Sequence, residues 1–494
     1  MRFGLATASI RQYSDIVGFS AHWVWIWCVF WSSLFYDAIP ASLRVTSGVL
    51  VNANLEPLWA FSLGSNVFAI GVLLLISRAC NPLARIRQLP WIAGSLTCIG
   101  TLLLAQPIVE TLGDFGAASY VMGTLLTGVG SGVVVVLWAE TLARLGSKLT
   151  INLSVWALLL AAVGYAVLSF LPTHVAQVLV AALPVVSMVF YRRFQRELPH
   201  VPRSQRNVRV SMRPPVRMIL IALFFGLSFG AMKGLLTPAS SDLIGLRDVL
   251  NIVAIVIGVI GVYAMANIFR MDFDQLTYQV ALPLMALGFL FLPLQEPASA
   301  IGTAIHQCGY QYFYIVLWST WSVLATRAEA PVAWVVSWGM FSVQLGQLIG
   351  SYASAFAVGV ITDKLGMAML SGAVVFAMLL IALFVFGNRT ATTGWGSIRP
   401  AEVGIPSSDF DEAATQTARH FKLSPRESEV FLLLAKGRNR AYIANKLAVG
   451  DETVKSHIKS LYRKLGVHSQ QELIDLVDTG TKEEPSREPV AKAD

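Results

Sequence analysis

The chain has 494 residues, of which 55% are hydrophobic and only 13% charged, and its mean hydropathy is +0.62. Soluble proteins contain roughly 45–50% apolar and about 25% charged residues, so this composition excludes a wholly water-soluble protein. The formal net charge of +8 is compatible with anionic lipid or nucleic acid as partners. The four cysteines have no CxxC spacing, which argues against a metal site or a disulfide framework.

Twelve apolar segments follow one another along most of the chain. A membrane-spanning helix needs about 20 mostly apolar residues. The first six predicted segments are 17–36, 57–76, 90–109, 117–142, 151–171 and 175–191. The second six are 218–236, 249–269, 278–294, 300–325, 332–358 and 365–386. The pattern predicts an all-α polytopic membrane domain over residues 1–387, with halves at about 17–191 and 218–387.

The positions of lysine and arginine predict the orientation of these helices. Short cytoplasmic loops retain positive charge. With the N-terminus inside, the inner loops contain many basic residues, including eight arginines in the loop 192–217. The outer loops contain only Arg44, Arg247 and Lys364. Because the number of segments is even, we predict that both termini are cytoplasmic.

Two six-helix halves joined by a long basic loop resemble the major facilitator superfamily over about residues 17–386. The resemblance implies a central cavity between the halves. The family's glycine, aspartate and basic signature between helices two and three is absent at residues 77–82. Thr124 stands where the family often has an arginine linked to proton coupling. The resemblance therefore implies the family's architecture more than its transport activity.

Polar residues on the tenth and eleventh predicted helices form the candidate ligand site. Those on the tenth helix recur at i, i+4 and i+8 and so share one face. Helix-to-helix hydrogen bonding is the other interpretation of such residues, and both stay open. The candidate ligand-binding residues are His306, Tyr310, Gln311, Tyr314, Gln344 and Gln347.

A soluble helical pattern follows the membrane domain. Residues 388–420 are rich in Thr, Gly, Ser, Pro and Ala, and we predict a flexible linker there. Ser424-Pro425-Arg426-Glu427 has the spacing of a helix-start capping box, with proline in the first turn. Gly437 is predicted to end this helix. A third helix presents Val454, Ile458, Leu461 and Leu465 as an apolar stripe.

Residues 421–480 resemble the LuxR, or GerE-type, helix-turn-helix family. The matching residues are Leu423-Ser424-Pro425-Arg426-Glu427, Gly437, Ile443-Ala444, Leu447, Thr453-Val454-Lys455, His457 and Lys464-Leu465. The resemblance implies a small four-helix domain whose third helix reads the DNA major groove. It implies DNA contacts from Thr453, Lys455, Ser456, Lys459 and Arg463. It also implies a dimer contact from Leu473, Leu476 and Val477. The composition of residues 481–494 separately predicts a disordered tail.

Three functions are compatible with this organisation. The leading hypothesis is a transcriptional regulator in the bacterial cell membrane that binds double-stranded DNA as a homodimer and senses an unknown small molecule through its transporter-like domain. The second is a working transporter with an attached regulatory domain. The third is a DNA-binding domain on a membrane anchor that senses no ligand. No catalytic, metal-binding or cofactor-binding motif is evident, so we do not expect an enzyme.

Overall fold

The computed structural model describes part of the chain, and every regular element within that part is helical. The described residues are 2–35, 39–40, 43, 57–77, 80, 82–197, 216–235, 244–273, 275–294, 297–328, 331–361, 364–386, 414, 417–421, 423–435, 437, 440–447, 449–470, 472–473 and 476–477. They form two compact units, Met1–Ile405 and Pro406–Asp494. Each unit has a hydrophobic core of its own.

The first unit contains long helices at each predicted apolar segment. The first six are α1 Arg2–Phe30, α2 Pro57–Ile76, α3 Leu89–Leu103, α4 Gly116–Ala143, α5 Ser147–Ser169 and α6 Thr173–Glu197. The next six are α7 Val216–Leu235, α8 Ile244–Tyr263, α9 Leu282–Phe291, α10 Ala298–Ala328, α11 Val332–Val360 and α12 Lys364–Phe386. Short π-helical segments extend α8 and precede α9, at Ala264–Ile268 and Gln275–Ala281.

Within the described part of the chain, seven helices are long and apolar enough to cross a membrane, namely α2, α4, α5, α6, α7, α8 and α11. Shorter apolar stretches lie in α1, α3, α12 and the segment Gln275–Phe291. The helix α10 belongs to neither group, because His, Gln and Tyr side chains interrupt its apolar sequence. The polytopic character is confirmed, while the number of twelve spans stays a prediction.

Polar side chains pair across the helices of the N-terminal half. Trp25 Nε1 on α1 donates to Thr101 Oγ1 on α3 at 2.9 Å. Asn66 Nδ2 on α2 donates to Ser131 Oγ on α4 at 3.1 Å. In a bilayer, such pairs satisfy polar groups that water cannot reach. These two hydrogen bonds join α1 to α3 and α2 to α4.

Glycines bring α7 and α11 into close contact in the C-terminal half. Gly226, Gly230 and Gly234 are four residues apart and therefore lie on one face of α7. A Cβ atom at Gly230 would stand 2.1 Å from the carbonyl oxygen of Gln347, closer than any real contact. Gly346 of α11 faces α7 in the same way, with Leu223 O at 2.2 Å from its hypothetical Cβ. This close packing fixes the part of α11 that carries Gln344 and Gln347.

The second unit is a small helical domain. Its helices are α13 Pro425–Ala435, α14 Arg440–Leu447 and α15 Asp451–Leu465. Residues 470, 472–473 and 476–477 are also helical, in agreement with a fourth helix. Ala414 and Ala418 are buried in this core, so its packing extends into the range predicted as linker. Residues 388–413 and the predicted tail lie outside the described residues.

The predicted capping box is confirmed at the start of α13. The backbone N–H of Ser424 donates to Glu427 Oε2 at 2.9 Å, and the N–H of Glu427 donates to Ser424 Oγ at 3.2 Å. Gly437 has a φ of +74°, which glycine adopts without strain, and its N–H donates to Leu434 O. The helix therefore begins and ends where the sequence predicts.

Glu427 also connects α13 to α15. Its carboxylate accepts hydrogen bonds from Lys464 Nζ at 2.7 Å and from Ser460 Oγ at 3.0 Å. The Glu427 residue is only 6% exposed. The bond from Lys464, together with those from Ser424 and Ser460, lowers the pKa of Glu427 to about 2. An interaction that favours the ionised carboxylate stabilises the folded domain wherever the unfolded carboxyl is also ionised.

We predict that Glu427→Gln destabilises the domain by about 2 kcal/mol, since hydrogen bonds to charged groups contribute roughly 1.5–3 kcal/mol. Chemical denaturation of a fragment spanning 406–494 measures this. The stabilisation should be fully present above about pH 4.5 and lost as the pH falls toward 2, because the folded pKa is the lower one.

The matched control is Glu429→Gln. Glu429 pairs with Arg426 at 2.6 Å on the same helix, but both side chains are about half exposed, at 50% and 45%. Exposed pairs contribute little, about 0–1 kcal/mol. Equal losses of stability in the two variants would contradict the structural role assigned to Glu427.

Candidate functional site

A cavity lies between the two halves of the first unit. It is lined by residues of α1, α2 and α4 from one half and of α7, α10 and α11 from the other. The space between the lining atoms, including its open side, is about 670 Å³. Its walls combine aromatic rings with amide and hydroxyl groups. The lining residues are His22, Trp23, Trp25, Ile26, Phe30, Trp31, Trp59, Ser62, Leu63, Asn66, Ser131, Val135, Phe229, Tyr310, Gln311, Tyr314, Gln344 and Gln347.

Five of the six candidate ligand-binding residues line this cavity: Tyr310, Gln311, Tyr314, Gln344 and Gln347. Tyr310 and Gln347 are hydrogen-bonded to each other, with the amide donating to the phenol oxygen. The Tyr310 ring also stacks on Phe229, with centroids 4.0 Å apart. The structure thus brings the polar faces of α10 and α11 together, and ligand binding by these residues stays a prediction.

His306 lies apart from the other five. Its ring is fully buried, 3.3 Å from Ser228 Oγ through Nε2, and packs edge-on against Phe289 with centroids 5.2 Å apart. Since Ser228, Phe289 and His306 belong to α7, α9 and α10, this histidine joins helices of one half. Its position fits the interpretation as a helix-to-helix hydrogen bond.

Sequence reasoning missed the contribution of the N-terminal half. Trp23, Trp25, Trp31 and Trp59 supply much of the cavity wall, although tryptophans in such helices are usually explained by packing or interface anchoring. Asn66 lines the cavity as well, and its isolated amide in an apolar segment was the available signal. Only the folded arrangement separates these tryptophans from Trp27, which does not line the cavity.

Aromatic contacts join the two halves at both ends of the cavity. Toward the start of α1, Phe19 and Trp23 pack on Trp318 of α10, with centroids 5.0 and 5.7 Å away. Toward the end of α1, Trp31 lies 5.1 Å from the ring of Phe229, and Trp59 Nε1 donates to Ser351 Oγ at 3.2 Å. Contacts between the halves therefore lie on both sides of the cavity along α1.

Lys233 adds to the contacts toward the end of α1. Its ammonium lies 5.1 Å from the centroid of Trp31 and 5.3 Å from that of Trp59, within cation–π range. It also donates to the carbonyl oxygen of Phe30 at 3.3 Å. A charge on α7 is thereby held against the aromatic rings of the other half.

Several polar atoms of the cavity lining have no hydrogen-bond partner. Trp23 and Gln311 each present a buried N–H donor, through Nε1 and Nε2. Asn66 and Gln344 each present a buried carbonyl acceptor, through Oδ1 and Oε1. Unpartnered buried atoms also occur away from the cavity, as at Trp27 Nε1 and Gln307 Nε2, so what distinguishes these four is that they line a space large enough for a polar guest.

In the second unit, α15 separates a buried face from an exposed one. Val454, Leu461 and Leu465 are buried, as the predicted stripe requires. All five candidate DNA contacts lie on the exposed side: Thr453, Lys455, Ser456, Lys459 and Arg463. Lys455 pairs with the exposed Glu452 at 3.3 Å, a contact that phosphate could replace. Their contact with DNA stays a prediction.

Arg440 of α14 forms an ion pair with Asp451 at the start of α15, at 2.7 Å. Both side chains are about half exposed, so this pair contributes little to stability. Gly450 precedes α15 in an extended conformation and contributes no side-chain cap.

The candidate dimer residues are mostly inside the domain. Leu473 and Val477 are 0% exposed and pack in the core of the second unit, and Leu476 is partly buried against it. Buried side chains cannot contact another protomer without rearrangement. A dimer contact from this helix would have to use its outward-facing residues.

Comparison with known proteins identifies the second unit. Residues 422–477 match the family described as "Bacterial regulatory proteins, luxR family". The spore germination protein GerE of Bacillus subtilis is 37% identical over 62 residues, which cover 12% of this chain and 84% of GerE. The transcriptional activator RamA of Corynebacterium glutamicum is 41% identical over 54 residues, or 11% of this chain and 19% of RamA. The chain thus spans about a fifth of RamA, and the similarity is confined to this domain.

Solved structures identify the fold of the first unit. A bacterial homologue of the iron transporter ferroportin aligns with a TM-score of 0.55 at 13% identity, covering 76% of this chain and 98% of that one. The human organic anion transporter MFSD10 aligns with a TM-score of 0.52 at 13% identity, and the alignment covers 75% of this chain and 98% of MFSD10. The major facilitator superfamily transporter FucP aligns with a TM-score of 0.50 at 13% identity, and the alignment covers 75% of this chain and 99% of FucP. At such identities the likeness concerns the fold alone.

Both resemblances noted in the sequence are confirmed. The chain belongs, through its C-terminal domain, to the luxR family of bacterial regulatory proteins, and that domain is fused to a membrane unit with the major facilitator fold.

Proposed function

We propose that this protein is a membrane-bound transcriptional regulator that binds double-stranded DNA through α15 and responds to a small molecule in the cavity between its halves. The observation that carries the proposal is the presence, in one chain, of an exposed basic recognition helix and a cavity between the halves with unsatisfied polar atoms. No enzymatic step is part of it. The regulator binds DNA as a homodimer, with one protomer on each of two symmetric half-sites.

The second candidate is a transporter with an attached regulatory domain. The major facilitator fold favours it, since each of the three solved relatives is itself a transporter or its homologue. Against it stands the scarcity of charge in the cavity: no Asp, Glu, Lys or Arg is among its described lining residues. A sensor needs only different ligand affinities in two conformations, whereas a transporter must also complete an alternating-access cycle.

We place the protein in the bacterial cell membrane with both termini in the cytoplasm, where the DNA is. The excess of arginine in residues 192–217 supports this orientation. Reporter fusions in that loop and after Asp494 should both give a cytoplasmic signal. A periplasmic signal from either fusion would contradict the orientation and remove the DNA-binding domain from its partner.

We predict that Lys455→Ala and Lys459→Ala each weaken specific DNA binding by about 1–3 kcal/mol, because exposed lysines on a recognition helix contact phosphates and base edges. The measurement is the Kd of the 406–494 fragment for a site selected from random-sequence DNA, at fixed salt.

The control variant is Arg426→Ala, which removes one positive charge from α13, with its bonds to Glu429 and to Leu447 O, and changes no residue of α15. It should change the affinity less than either lysine variant does. If both lysine variants retain the affinity of the natural protein, the exposed face of α15 is not the DNA-reading surface.

A further inference from the structure

The charge, aromatic rings and unpartnered polar atoms of the cavity between the halves indicate the class of its ligand. This step rests on the proposed function, in which the cavity is the sensory site. We propose that the cavity binds an uncharged molecule built around a flat ring, with hydrogen-bond donors and acceptors on the edge of that ring. Three independent observations support this class.

The first observation is the charge of the lining. None of the described lining residues is acidic, lysine or arginine, and the only titratable side chains there are His22, Tyr310 and Tyr314. An ionised ligand in a membrane interior would lose its hydration, and a cation would find no acidic side chain among the described lining residues. For an anion, the nearby ammonium of Lys233 is already engaged with the rings of Trp31 and Trp59 and with the carbonyl oxygen of Phe30. A neutral ligand carries no such penalty.

The second observation disfavours a cation, which aromatic rings alone would otherwise attract. Trp31 and Trp59 already hold the ammonium of Lys233, at 5.1 and 5.3 Å from their centroids. The positive charge of Lys233 would repel a second cation beside these rings. The aromatic wall therefore serves ring stacking and apolar contact.

The third observation is the set of unsatisfied polar atoms. Asn66 and Gln311 are 8% and 2% exposed, and each has one amide atom without a partner, an acceptor and a donor respectively. They come from opposite halves, on α2 and α10. Trp23 Nε1 adds a donor and Gln344 Oε1 an acceptor. A ligand that satisfies them must present both donors and acceptors, and it would connect the halves.

The test uses radiolabelled probes on the full-length protein in nanodiscs, with scintillation-proximity binding as the readout. Benzamide, benzoate and benzylamine share one ring and differ in charge, and cyclohexanecarboxamide keeps the amide but lacks the flat ring. We expect saturable binding of benzamide below about 10 mM, the range open to such small fragments. The other three probes should bind at least about tenfold more weakly, a difference of ~1.4 kcal/mol.

A pair of glutamine variants assigns the binding to the cavity. Gln311→Leu should weaken benzamide binding by about tenfold or more, because it removes a partner of the ligand's polar edge. Gln307→Leu is the matched control, since Gln307 lies one turn away on α10, is 3% exposed and also has an unpartnered Nε2, but does not line the cavity. It should leave the affinity within about twofold.

Four outcomes would overturn the proposal. Stronger binding of benzoate would make Lys233 a counter-ion and the ligand an anion. Stronger binding of benzylamine would indicate a cation cage. Equal binding of cyclohexanecarboxamide would remove the requirement for a flat ring, and no saturable binding of benzamide would exclude this ligand class. Benzamide binding without any change in DNA affinity would instead contradict ligand sensing and leave the ligand class standing.

Discussion

The interior of a bilayer offers no water to an unpaired polar group, and this constraint shapes the whole membrane unit. It confines the described backbone to helices, whose hydrogen bonds are satisfied within the segment. It also favours polar side chains that pair across neighbouring helices, as Trp25 does with Thr101 and Trp59 does with Ser351. Buried Glu140 obeys the same rule, since both of its carboxylate oxygens accept from the backbone N–H of Leu83.

The unsatisfied atoms around the cavity differ from other unpartnered atoms of this unit because a guest in the cavity could reach them. Gln311 and Asn66 lie on opposite halves and could share one guest. A guest that contacts both halves stabilises the arrangement in which the two sets of atoms are closest. If it binds that arrangement 10–100-fold more tightly, it shifts the equilibrium by about 1.4–2.7 kcal/mol. For the homodimer proposed above, such a bias is enough to alter how freely its two DNA-binding domains bind one promoter.

The sequence alone predicts the elements whose physics is local. The capping box at Ser424 and Glu427, the glycine at 437 and the apolar stripe of α15 depend on spacing within one helix, and all three are found. The twelve apolar segments each coincide with a helix for the same reason.

What the sequence does not reveal depends on contacts between distant segments. Glu427 reads as a capping residue, but its bonds to Ser460 and Lys464 exist only after α15 packs on α13. His306 shares a helix face with Tyr310, yet packing directs it toward Ser228 and away from the cavity. The spacing of the tryptophans in α1 does not distinguish those that line the cavity, Trp23 and Trp25, from Trp27, which is buried elsewhere. Leu473 and Val477 fill the core of their own domain, which an apolar pattern cannot distinguish from a dimer surface.

If the cavity is the sensory site, its occupancy controls DNA binding by the same chain. This can be measured as the Kd of the full-length protein in nanodiscs for its selected DNA site, with and without a bound cavity ligand such as benzamide. We expect a change of about tenfold, or ~1.4 kcal/mol, that Gln311→Leu abolishes and that the 406–494 fragment never shows. An unchanged Kd with the cavity occupied, together with gradient-driven accumulation of the same ligand in vesicles, would exclude a sensor and identify a transporter.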